Sequence, residues 1–200
     1  MTRAHVFIGM LLAMPALVGA QETSGKYVAG IRSGLITETM RLSKLDPAFG
    51  DLQPNGPTGP HMSGFYLMLK ARPHLRVGVE TLVASSDKNE ATTMNYQAAG
   101  PVIELTYGTS WFMSAGLHGG GLIVNAMTRQ GSASGSGATT GSFFKGDGGF
   151  LAPYLDVGRR LGRYEIGFYM KHVSVFGEKD RGGISDFSST FAGLRFGVGL

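Results

Sequence analysis

Hydrophobic residues in this chain recur at every second position, in eight separate stretches. A period of two is the geometry of a β-strand, whose side chains point alternately to opposite faces, and it excludes helices as the main element. The fullest example runs from Tyr164 to Phe176. Tyr164, Ile166, Phe168 and Met170 share one face there, and Glu165, Gly167, Tyr169 and Lys171 share the other.

The alternation begins after Lys26, where Tyr27, Ala29, Ile31, Ser33 and Leu35 lie opposite Gly30, Arg32 and Gly34. It returns at about His61 to Arg72, from Leu75 through Val83, near Asn95 to Tyr107, from Trp111 to about Ala126, from Leu151 to Arg160, and from Ala192 to Leu200. The connections alternate too. Tight turns are predicted at Pro73-His74, Gly108-Thr109-Ser110 and Leu161-Gly162-Arg163, and long loops at Leu42 to Pro60, Ser85 to Ala91, Thr128 to Gly149 and Gly177 to Ser185. Pro54, Pro57 and Pro60 interrupt the first of these loops, and the third is low-complexity Gly, Ser and Ala with no strand pattern beyond its ends.

An even number of strands joined by alternating short and long connections is the topology of a bacterial outer-membrane barrel, whose short turns face the periplasm. The predicted fold is therefore all-β, an eight-stranded antiparallel up-and-down transmembrane β-barrel, closed so that lipid meets no unpaired strand edge. Tyr107, Trp111 and Tyr164 fall beside the short turns on or near the apolar face, where an aromatic girdle belongs. The final Phe196, Val198 and Leu200 resemble the C-terminal signal of outer-membrane proteins, with Leu where Phe is commoner. A soluble lipocalin-type barrel would share the strand count with its faces reversed. Charged residues on the second face of each strand can instead pair within a narrow lumen, and the long loops gather at one end, which favours the membrane. Eight strands enclose too little space for a diffusion porin.

The N-terminus adds an address. Met1 to His5 is basic, Val6 to Gly19 is nearly all apolar, and small residues precede Gln21, so residues 1–20 are predicted to be a signal peptide and 21–200 a single outer-membrane barrel domain. The apolar run is too short to span a membrane as a helix. With no cysteine there is neither a lipoprotein anchor nor a disulfide framework. The formal net charge is +4, but the basic residues are scattered singly through alternating segments, so no nucleic-acid partner is expected.

The sequence has no Walker-type glycine loop, zinc-ligand spacing or dinucleotide fingerprint, so it implies no metal and no cofactor. Gly119-Gly120-Gly121 sits inside a strand, where glycine signals close packing or curvature. His118 faces the lumen and is expected to be a hydrogen-bonded member of a polar core, while His61 and His74 lie at strand ends. His172 and Ser174 differ. They continue the apolar face of the seventh strand, so in a membrane barrel they point at lipid, where polar groups are costly. Two residues apart, they share a face, and an imidazole beside a hydroxyl is the pairing of base and nucleophile. Asp186 and Ser188 share parity with the outward face of the antiparallel eighth strand, which brings Asp186 within plausible reach of His172 as the orienting acid. Glu178 and Asp180 are nearer in sequence and read better as solvated loop charges. The competing explanation is plain: small barrels are rich in serine, and histidine suits a headgroup interface.

These residues resemble the outer-membrane lipid A deacylases, which carry His-x-Ser-Asn-x-Gly on the outward face of the penultimate strand and an acid twelve positions after the serine. His172, Ser174 and Gly177 match, and Asp186 stands at the twelve-residue distance; Val175 replaces the usual Asn, and Asp replaces the usual Glu. The resemblance covers roughly Tyr164 to Leu200. It implies hydrolysis of an ester-linked acyl chain of lipid A, with Ser174 attacking, His172 moving the proton, Asp186 orienting the ring and the Gly177 backbone serving the oxyanion. The implied partner is outer-leaflet lipid A or lipopolysaccharide in the bacterial outer membrane. The alternative is a non-catalytic barrel with an envelope-structural or surface-binding role.

Overall fold

A computed structural model describes residues 25–39, 41, 61–86, 92–128, 143–176 and 187–200. The predicted signal peptide and most of the four long connections lie outside the described residues. The described residues form eight strands: β1 (Tyr27–Ile36), β2 (His61–Arg72), β3 (Leu75–Ser85), β4 (Thr92–Tyr107), β5 (Trp111–Thr128), β6 (Phe143–Leu161), β7 (Tyr164–Phe176) and β8 (Phe187–Gly199). Each pairs antiparallel with the next, and β1 closes on β8 in the register Ile31↔Phe196 and Arg32↔Arg195. The tight turns fall where the sequence places them. Gly108 and Gly162 hold positive φ there (94° and 61°), a conformation that glycine adopts at little cost.

β6 starts earlier than the sequence pattern indicates. The ladder continues from Gly149↔Gly121 down to Phe143↔Met127, taking part of the Thr128 to Gly149 stretch into the sheet. Pairing requires only backbone groups, so glycines with poor strand propensity are carried along by a long partner strand.

The two faces of the wall decide what surrounds it. Phe65, Trp111, Met113, Leu155 and Phe168 are more than half exposed on the outside, whereas Arg32, Glu80, Glu104, Glu165 and Arg195 are fully buried inside. A water-soluble barrel would have the reverse arrangement, so the apolar exterior is a lipid-facing surface. Tyr107, Trp111 and Tyr164 all lie on that exterior beside the short turns, as an aromatic girdle does.

The lumen is filled in two tiers. Towards the short turns, four carboxylates and the basic groups interlock. Arg32 donates to Glu80 at 2.7 Å, Asp156 at 3.0 Å and Glu104 at 3.2 Å. Arg76 grips Glu165 at 2.6 and 2.9 Å, Lys171 reaches Glu80 at 2.6 Å, and Arg195 bonds Glu104 at 2.9 Å, Glu165 at 3.1 Å and also Asp156. The Tyr66 and Tyr154 rings pack on the Arg32 guanidinium at 4.6 and 4.3 Å. Inward Gly116 makes room for this, because a Cβ there would overlap the Tyr154 ring. Towards the long connections the filling is apolar, with Met62, Leu82, Tyr96, Leu122, Phe150 and Phe191 in one cluster. The expectation that charges fill the lumen thus holds for only one tier. In the other, both faces of the strands are apolar, which blurs the alternation. His118 sits where the tiers meet. It is buried in the lumen as expected, but neither ring nitrogen is hydrogen-bonded; Nδ1 stands 3.9 Å from Glu80, and the ring packs edge-on against Phe150. The ring thus has Phe150 and Glu80 as neighbours but lacks the expected hydrogen bond.

Candidate functional site

β7 carries His172 and Ser174 outward, continuing the face of Phe168 and Met170 while Lys171, Val173 and Val175 turn inward. Their cross-strand partners on β8 are polar too: His172 faces Thr190 and Ser174 faces Ser188. On the other flank Ser174 faces Leu151 of β6. The closing strand supplies a third element. Beyond the end of β1, the Thr37 amide donates to the Thr190 carbonyl at 2.8 Å, which draws Glu38 alongside.

The result is a short chain of hydrogen bonds on the outer surface. The Thr190 hydroxyl donates to the Glu38 carboxylate at 2.7 Å, and His172 Nδ1 lies 2.8 Å from the Thr190 oxygen. Because the hydroxyl has one proton and gives it to Glu38, its oxygen can only accept from the ring. Nδ1 therefore carries the hydrogen, and in the neutral imidazole Nε2 is the bare acceptor. Glu38 Oε1 is 3.9 Å from Nδ1, close enough to favour that orientation electrostatically, and both side chains are about half exposed (43 % and 49 %). Among the described residues, no hydrogen bond joins Ser174 to the ring. Asp186, Gly177, Glu178 and Asp180 lie outside the described residues.

Comparison with solved structures places the architecture. Neisserial surface protein A (NspA) matches with a TM-score of 0.58 and 11 % identity over 87 % of this chain and 96 % of that one. The two share one fold, which in this chain is a closed barrel of eight antiparallel strands. The N-terminal β-barrel domain of Pseudomonas aeruginosa OprF aligns over 88 % of this chain and 98 % of its own at 9 % identity, with a TM-score of 0.41. No protein-family model matches the sequence, and no curated protein matches it. At such identities the likeness carries the fold and leaves the chemistry of β7 to be argued from this chain alone.

The patch of His172, Ser174, Ser188, Thr190 and Glu38 sits at the long-connection end of the barrel, the end that faces outward from the cell in outer-membrane barrels. Sequence reasoning found the first two residues and missed Thr190 and Glu38. Thr190 was accessible, since it shares parity with Ser188 and falls opposite His172 once the hairpin is antiparallel. Glu38 was not, because only the closure register between β1 and β8 brings it there. A second histidine and serine pair, His61 Nε2 and Ser85 Oγ at 3.2 Å, lies at the same end on β2 and β3. No described carboxylate orients that ring.

Proposed function

We propose that this barrel hydrolyses ester-linked acyl chains of a lipid in the outer leaflet, lipid A or lipopolysaccharide being the substrate that the resemblance of β7 and β8 suggests. One observation carries the reading. The Nδ1 hydrogen of His172 is committed to Thr190 and, through it, to Glu38, which leaves Nε2 as a proton acceptor on the face that bears Ser174. A base so oriented beside a serine is the arrangement that nucleophilic ester hydrolysis needs.

In this reading a rotation of Ser174 between staggered wells brings its hydroxyl to Nε2, a contact of the kind that tightens when substrate is present. Ser174 Oγ attacks the ester carbonyl as Nε2 takes its proton. The tetrahedral intermediate collapses, the lipid hydroxyl leaves with that proton, and an acyl-serine remains. Water, deprotonated by Nε2, then releases the fatty acid and restores the serine. The family resemblance assigns the Gly177 backbone to the oxyanion and Asp186 to orienting the ring. The outward position suits a substrate that lies beside the barrel wall and never enters the lumen.

One observation favours a second reading, a non-catalytic barrel whose polar patch is simply solvated among headgroups: Ser174 makes no hydrogen bond to His172. A long-chain alkyl fluorophosphonate separates the two. The folded barrel in detergent micelles should form a phosphonyl ester at Ser174, with loss of fluoride, and His172→Ala should abolish it. Peptide mass spectra without modification at Ser174 in the folded wild type would leave the non-catalytic reading standing.

A further inference from the structure

The short-turn rim of the barrel is rich in cations. Lys26, Lys70, Arg72, Arg159, Arg160 and Arg163 all lie there. Glu165, at that level, is buried and held by Arg76, Arg195 and Arg160. Arg160 is also occupied by the carbonyls of Gly108 and Thr109. The opposite end mixes signs, with Glu38 and Asp147 alongside Arg41 and Lys145.

Two of the rim arginines stand out by their setting. Arg159 follows Leu155 and Val157 on the outward face of β6 and pairs across the sheet with Trp111, whose ring lies 5.3 Å from its guanidinium carbon. It makes no ion pair with a described residue, and its Nε is buried without a hydrogen-bond partner. Arg163, in the turn to β7, packs 5.2 Å from the Tyr164 ring and donates to its hydroxyl at 3.1 Å. Tyr164 is itself stacked on Phe196 at 5.9 Å. Both guanidinium groups are thus steadied by aromatic faces of the girdle, at the depth where hydrocarbon gives way to headgroups. A cation facing lipid is costly unless an anion meets it, and a planar guanidinium offers paired N–H donors that match phosphate oxygens.

We infer that Arg159 and Arg163, each set against a girdle aromatic and without an ion pair to a described residue, bind the phosphate of an anionic phospholipid in the inner leaflet of the outer membrane. A phosphatidylglycerol-type headgroup fits better than a zwitterionic one, since it brings a net negative charge to two guanidinium groups that have no ion pair with a described residue. The assignment is independent of the ester-hydrolysis reading, being on the opposite side of the membrane.

The chain has a single tryptophan, and it is the one beneath Arg159. Its fluorescence therefore reports which lipid occupies this spot. Folded protein would be reconstituted in vesicles of phosphatidylcholine with a minor fraction of phosphatidylglycerol, and bromine placed on the acyl chains of one lipid or the other. Quenching from brominated phosphatidylglycerol should exceed that from brominated phosphatidylcholine at equal mole fraction, with local enrichment of about fivefold per arginine. The excess should shrink as salt is raised. Arg159→Gln with Arg163→Gln should bring the two lipids to equal quenching while heat-modifiable gel migration shows the barrel folded; if that pair fails to fold, Arg163→Gln in the exposed turn should lower the excess alone. Equal quenching by the two lipids in the wild type, or an excess that survives the substitutions in a folded barrel, would overturn the inference.

Discussion

Arg32→Met is the substitution whose consequence follows most directly from the lumen. The side chain is wholly buried and donates to Glu80, Glu104 and Asp156 while two tyrosine rings pack on it. Methionine restores much of the volume and none of the charge. Each carboxylate keeps a second partner: Lys171 for Glu80, Arg76 and Arg195 for Glu104, and Arg195 for Asp156. No carboxylate is stranded outright, so the loss should match one broken buried pair, about 3–5 kcal/mol, and not a sum over three. With a urea slope of about 2–3 kcal/mol/M, the unfolding midpoint should fall by roughly 1–2.5 M. Reversible urea titrations in phospholipid vesicles, followed by Trp111 fluorescence, would measure it. A shift under about 0.3 M would mean that the network is worth no more than an exposed ion pair, and the picture of an interlocked lumen would fail.

Other consequences are equally specific. Thr190→Val removes the oxygen that holds His172 Nδ1; ester hydrolysis should fall at least about tenfold, and towards ~10⁴-fold if the tautomer is lost, with the urea midpoint unchanged. Leu155→Arg places a cation on the outer wall and should cost about 2–4 kcal/mol if that position lies near the bilayer midplane, read from the same titration. Gly116→Val drives a side chain into the Tyr154 ring and should cost about 1–3 kcal/mol, seen as a lower folded fraction on heat-modifiability gels.

The fold was legible because a membrane barrel writes one bit per residue. Outward Phe65, Leu155 and Phe168 and inward Arg32, Glu80 and Arg195 follow the period of two, and short turns fall where proline, glycine or serine breaks it. The pattern failed where that bit was lost. Upper lumen residues such as Leu82, Leu122 and Phe150 are as apolar as the wall, and Gly146, Gly148 and Gly149 of β6 have no side chain to alternate. The candidate site was half legible. Parity placed His172 and Ser174 on one face, because that depends on a single strand. Glu38 lies 134 positions before His172 and is brought near only by the β1 and β8 closure, a register that depends on all eight strands at once.

The claim that matters most is that Ser174 and His172 cleave an acyl ester in the outer leaflet. Purified, folded barrel would be incubated with lipid A in mixed micelles, and the lipid analysed by mass spectrometry beside a Ser174→Ala control of matched fold. Loss of one acyl chain, with an equimolar free fatty acid, from the wild type and not from the control is the predicted result. Unchanged lipid A from a wild type that migrates as a folded barrel, or the same loss from Ser174→Ala, would contradict it.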